Sequence, residues 1–224
     1  MSVRLFSILS ALSGIIGVIL LVVSFTLNPA PPTGNAQLIA YGREYHNAIL
    51  VGAWLQAISP LLIVFFVLAI VHLAGATTRF SGWATLCGSI ILVVVSLMEV
   101  TLYLGAANAN NLTIVLVSLS LIKAVQHLYS IIAAPALIIP IGLVVVNSRV
   151  LPHILGYIAI VAGILFAIAG VAYLFTPVVD GIAALSVIQA IEELWFPVAA
   201  ITLLIRTLTK APIAEVQERE SVTA

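Results

Sequence analysis

Glu99, Lys123, His127, Glu192 and Glu193 stand inside runs of otherwise apolar sequence. Residues 119–129 read LSLIKAVQHLY and residues 185–195 read LSVIQAIEELW. At about 100° per residue, Ser120, Lys123, Gln126, His127 and Ser130 share one face of a helix. Ser186, Gln189, Glu192 and Glu193 share one face of another. Such groups in an apolar setting can pair as ions, pass a proton, or hold a charged ligand.

The surroundings of these residues define their solvent. The chain has 224 residues, of which 63% are hydrophobic and 7% charged. Mean hydropathy is +1.28. A soluble globule must cover itself with polar groups, and this composition leaves too few. Formal net charge is zero, and no basic run suits phosphate, so no nucleic-acid partner is expected. Cys87 is the single cysteine and forms no internal disulfide.

Six apolar runs are long enough to cross about 30 Å of hydrocarbon. They fall near 5–27, 47–74, 82–105, 112–146, 154–175 and 182–207. The first reads as a retained helix, being too long for a signal-peptide core. The fourth is too long for one straight span and should kink at Pro135 or Pro140. Arg4, Arg79, Arg149, Arg206, Lys210 and Arg219 all fall on one side of these spans. The positive-inside rule then places both termini in the cytoplasm. The expected fold is an all-α, polytopic six-transmembrane-helix bundle, one domain over 1–210, with a polar cytoplasmic tail at 211–224.

An internal repeat is expected as well. The stretches at 119–129 and 185–195 share Leu, Ser, Ile, Ala and Leu in register. WLQAISPLL at 54–62 aligns Gln56 with Lys123 and Gln189. The first, third and fifth spans each open on a glycine, and Gly82/Gly88 and Gly156/Gly163 mark close helix approach in lipid. These echoes suggest three parallel two-helix repeats, about 1–75, 76–149 and 150–210, around a central axis. Equivalent faces of the second, fourth and sixth spans would then line a common interior.

A charge at the bilayer centre costs at least about 2.5–3.5 kcal/mol. Glu99, Lys123, Glu192 and Glu193 should therefore face one another rather than lipid. Counted from the outer ends of their spans, Lys123 and Glu192 sit at similar depth, roughly 15 Å in at ~1.5 Å per residue. Glu192 or Glu193 is the expected ion-pair partner of Lys123. The remaining acids and His127 give the layer a proton to take up or release. Gln56, Gln126 and Gln189 join the same layer as ligand contacts or as interhelical glue. Trp54, Tyr129 and Trp195 are candidate pocket aromatics. The two tryptophans read equally well as lipid-facing.

The ligand chemistry is open. No Glu-x-x-His or His-x-x-x-His occurs, and Lys123 opposes a cation, which argues against a metal site. His46, His72 and His153 sit near span ends, leaving no second interior histidine for haem. Retinal proteins of familiar type carry their lysine on a seventh helix. No cofactor is firmly implied. The first expectation is a binding or transport protein, with or without proton coupling, whose outward-facing pocket lies between the second, fourth and sixth spans. Its partners would be the lipid bilayer and a small-molecule, lipid or ion ligand. The alternatives are an intramembrane enzyme using His127 and glutamates as acid and base or metal ligands, and a structural subunit with an internal ion pair.

The segment RVLPHILGYIAIVAGILFAIAG, with Pro and Gly at a helix start after an arginine, resembles small prokaryotic six-helix membrane proteins of uncharacterised function. The resemblance implies a six-helix bundle in a prokaryotic inner membrane. It carries no activity over.

Overall fold

The computed structural model describes residues 2–27, 32, 34, 37–175 and 179–209, except for the side chains of 179–189. Every regular element among them is helical. Helices α1 (Val3–Leu27), α3 (His46–Leu73), α4 (Phe80–Ala107) and α7 (His153–Phe175) are long and apolar. A short α2 (Leu38–Glu44) precedes α3. The fourth long segment divides into α5 (Leu112–Leu128), a π-helical turn (Tyr129–Ala133) and α6 (Ala134–Val146). Helix α8 runs from Val179 to Thr209. Among the described residues, five segments are long and apolar enough to cross a membrane: α1, α3, α4, the continuous 112–146 segment, and α7. Helix α8 carries Glu192, Glu193 and Arg206.

The helices close a ring. Each long segment packs on the next: α1 on α3, α3 on α4, α4 on α5 and α6, α6 on α7, α7 on α8, and α8 back on α1. The outward faces are apolar, with Leu9, Ile16, Ile90, Val161 and Ile168 all exposed. A surface so continuously apolar needs an apolar solvent.

Small residues set the helix spacing. Helix α1 buries Ser7, Ser10, Ala11, Ser13, Gly14 and Gly17. Its serine hydroxyls satisfy themselves on their own helix, as Ser10 does at the Phe6 carbonyl at 2.7 Å. A Cβ on Gly88 would collide with the Ala136 carbonyl oxygen, so α4 and α6 touch backbone to backbone. That carbonyl is the one Pro140 leaves without its intrahelical donor. A Cβ on Gly142 or on Gly156 would stand 2.8 Å from the other's carbonyl oxygen, which brings α6 equally close to α7.

The packed core lies toward one end of the ring. It contains Phe66, Ile70, Leu137, Ile141, Val145, Trp195 and Ala199. Up-and-down connectivity puts Arg4, Arg79, Arg149 and Arg206 at this end. Arg206 closes it, donating from Nη1 to the carbonyls of Arg149 at 3.0 Å and Val150 at 2.8 Å. Lys210, Arg219 and the 211–224 tail lie outside the described residues.

The irregularity expected near Pro135 takes a specific form. Proline has no N–H to offer the preceding turn. The Ala134 N–H instead reaches back five residues to the Tyr129 carbonyl, widening the turn just before Pro135. Pro140 is accommodated inside α6.

Candidate functional site

At the end of the ring away from the arginines, the polar layer surrounds a cavity of about 500 Å³. Gln56, Glu99, Lys123, Gln126, His127, Tyr129, Glu192 and Glu193 all line it. The pocket was expected between the second, fourth and sixth spans. Its wall also takes Phe25 from α1, Leu92 and Glu99 from α4, and Phe166 and Tyr173 from α7. A ring closed by consecutive helices has one central space, and every long segment borders it.

Glu99 is the best-satisfied acid. Gln56 Nε2 donates to its Oε2 at 2.9 Å, and Gln126 Nε2 donates to its Oε1 at 2.9 Å. The three side chains tie α3, α4 and α5 together. Pro60 contributes to the same junction. It deprives the Gln56 carbonyl of its helical donor, and Ser96 Oγ makes a long 3.4 Å contact to that carbonyl. One turn further along α3, Ser59 Oγ donates to the Gly17 carbonyl at 2.8 Å and fixes α1.

Glu192 is different. It is only 3% exposed. Its Oε1 accepts from the Tyr129 hydroxyl at 3.2 Å. Its Oε2 is the buried side-chain oxygen with no hydrogen-bond partner among the described residues. Tyr129 stands edge-on to Phe166, with ring centroids 5.9 Å apart. Glu99, Glu192 and Glu193 all lie within electrostatic reach of its phenol.

The expected ion pair is replaced by this contact. Among the described residues, no ion pair within 4.0 Å joins Lys123 to Glu192 or Glu193. The equal-depth estimate assumed that the last span starts at 182, whereas α8 starts at Val179. Glu192 meets Tyr129, six residues beyond Lys123 and roughly 9 Å further along at ~1.5 Å per residue, and the three extra residues of α8 account for about half of that offset. Lys123 remains on the exposed side of the cavity.

His127 is held in one orientation. Its Nδ1 lies 2.9 Å from the Lys123 carbonyl. A carbonyl only accepts, so Nδ1 carries the hydrogen and Nε2 is the second functional nitrogen. The ring stacks on Tyr173, with centroids 4.6 Å apart and planes 21° apart. Tyr173 escaped sequence reasoning, as did Phe25, Phe166 and Phe196. An aromatic residue in an apolar run gives no sign of which way it faces.

Two pocket aromatics need correction. Trp54 is 61% exposed and does not line the cavity. Trp195 is buried in the packed end, where its Nε1 donates to the Leu155 carbonyl at 2.8 Å. That buried N–H found a backbone acceptor on α7 instead of a ligand. The Gln189 side chain lies outside the described residues. Among the described residues, no three of His, Cys, Asp and Glu converge to hold a metal ion.

The chain matches no protein-family model, no curated protein and no solved structure. What the site can do is therefore argued from its own chemistry. It offers a fixed carboxylate, a buried carboxylate with one oxygen unsatisfied, a further glutamate, a lysine near its exposed side and an oriented imidazole. Aromatic and aliphatic walls enclose them.

Proposed function

We propose that this chain is a six-span membrane protein that binds or transports a small molecule in its central cavity. In this reading α8 is the sixth span, both termini are cytoplasmic, and the cavity faces outward. The membrane is the inner membrane of a prokaryote, and the three two-helix units are repeats of one ancestral hairpin. The observation that carries the functional reading is the cavity of about 500 Å³ lined by Glu99, Glu192, Glu193, Lys123 and His127. Ligand pockets of ordinary size have this volume and this mixture of apolar wall with few polar groups. Burying so many ionisable groups at membrane depth is costly, and such residues mark ligand and proton pathways.

Orientation is tested with single cysteines in a Cys87→Ser background, using a membrane-impermeant maleimide on intact cells. Asn110→Cys should label from outside, and Thr77→Cys only after permeabilisation. The opposite pattern reverses the topology. Binding is tested with a panel of chemically diverse small molecules and the melting temperature of the purified protein. At least one compound should raise the melting temperature of the wild type and not of Ser96→Phe, which puts a ring into the cavity. If no compound separates the two proteins, the cavity is not a ligand site.

The clamp of Gln56, Glu99 and Gln126 favours a second reading, in which the polar layer only fixes helix register. That reading requires the cavity variants to change stability and nothing else. The oriented His127 favours an intramembrane enzyme in which Nε2 acts as base. That reading requires a turnover that His127→Gln abolishes while panel binding persists.

A further inference from the structure

We propose that the ligand is a lipophilic organic monocation, a primary or secondary amine on an aromatic or aliphatic body, whose nitrogen donates to Glu192. This inference rests on the cavity being a ligand site and adds the class of ligand.

The charge balance gives its sign. Among the described residues, Glu99, Glu192 and Glu193 line the cavity with one ammonium, that of Lys123. Carboxyl groups outnumber ammonium groups on this wall, and a cation is the partner that a carboxylate accepts from. Glu99 already accepts a donor on each oxygen, so neither of its oxygens is left without a partner. Glu192 is the acid with a defined deficit. It is buried to 3% exposure and keeps Oε2 without a donor among the described residues. A buried polar atom left unpaired is unfavourable. A ligand N–H reaching it from the cavity that Glu192 lines would supply the missing donor.

The walls give the rest of the ligand. Phe166, Tyr173 and Phe196 border the same cavity, with Tyr129 standing edge-on to Phe166. Ring faces attract a cation electrostatically and accept an apolar body. An inorganic ion would have to shed its water among apolar walls, with no converging ligand set among the described residues. An organic cation loses far less on entering.

Protons compete for the same oxygen. Among the described residues, the titratable groups that line the cavity with Glu192 are Tyr129 from the π turn, Lys123 and His127 from α5, Glu99 from α4, Tyr173 from α7, and Glu193 beside it. Helices α1 and α3 bring no charged group to the lining. A proton on the Glu192 carboxyl takes the place that the ammonium would fill, so acidification opposes the cation. Amine binding should therefore weaken as pH falls.

Three probes of one shape decide the matter: 4-phenylbutylamine, 4-phenylbutanol and 4-phenylbutyrate. Their binding is measured calorimetrically on the full chain in lipid nanodiscs. The amine should bind roughly tenfold or more tightly than the alcohol, and the carboxylate should bind weakest. Glu192→Gln should lose the amine preference and keep the alcohol affinity, which also reports that the variant is folded. If that variant loses both ligands, Glu193→Gln and the pH dependence of the wild type serve instead. Each should weaken the amine alone. Amine and alcohol binding equally, or the carboxylate binding best, overturns the cationic ligand and leaves the cavity reading standing. No binding by any of the three overturns the cationic ligand. The cavity reading is then decided by its own compound panel.

Discussion

The two ends of the ring use the same helices for opposite purposes. At the arginine end, α3, α6 and α8 bring Phe66, Leu137, Ile141 and Ala199 together at zero exposure, and backbones touch at Gly88 and Ala136. At the other end the same segments hold glutamines, glutamates and a histidine around open volume. Packing in lipid comes from close van der Waals contact and not from exclusion of water. The closed end can therefore supply most of the stability, and the open end is released to carry charge. The difference implies a scaffold and a site that can be perturbed separately.

Phe66→Ala should be the most damaging change. It removes a ring at zero exposure and leaves a cavity, for a loss of about 3–5 kcal/mol. Reversible unfolding in mixed micelles measures it, and a loss below about 1 kcal/mol would erase the distinction between the two ends. Gly88→Val should follow, because its Cβ meets backbone that cannot rotate away. Overpacking of this kind costs about 1–3 kcal/mol, or more where the helices must separate, and should also appear as a lowered melting temperature.

Cavity substitutions should be milder. Gln126→Leu removes one of the two donors to Glu99. Interhelical hydrogen bonds in membranes average about 0.6 kcal/mol and reach about 1.7, and the cost should fall in that range. A double-mutant cycle with Glu99→Gln would isolate the coupling. Glu192→Gln should have the smallest effect on stability, within about 0.5 kcal/mol or slightly stabilising, because it exchanges a buried acid for a neutral isostere. A loss as large as that of Phe66→Ala would mean that Glu192 belongs to the scaffold.

Much of this arrangement was legible in the residue order. Helix ends fall within a few residues of the Gly, Pro and Asn punctuation, as at Ala107 and Leu112 around the asparagines of 108–111. Five ionisable groups in apolar runs, Glu99, Lys123, His127, Glu192 and Glu193, line the cavity, since membrane burial forces such groups inward. Pairing was not legible. Lys123 and Glu192 have opposite charges and similar nominal depth, yet Glu192 meets Tyr129, six residues beyond Lys123. The tryptophans failed for another reason. Trp54 and Trp195 are both flanked by apolar residues, and periodicity carries no facing signal when every face is apolar. The seven-residue α2 also escaped, being too short to show a period within the 28–45 connection.

The π turn at Tyr129–Ala133 has a consequence for how the long segment can change over time. A turn of this kind is equivalent to one residue inserted into an α-helix, and one residue is about 100° of phase. Helices α5 and α6 are therefore one continuous rod with two independent clocks. The phase of α6 is locked by its backbone contacts with Gly88 and Gly156. The phase of α5 is set by which residues must look into the cavity. Deleting Ile132 would restore a single clock, and Lys123, Gln126 and His127 would swing about 100° out of register while α6 stayed where it is. Mutations in α5 can thus be sampled for new ligands without renegotiating the contacts that hold the bundle closed.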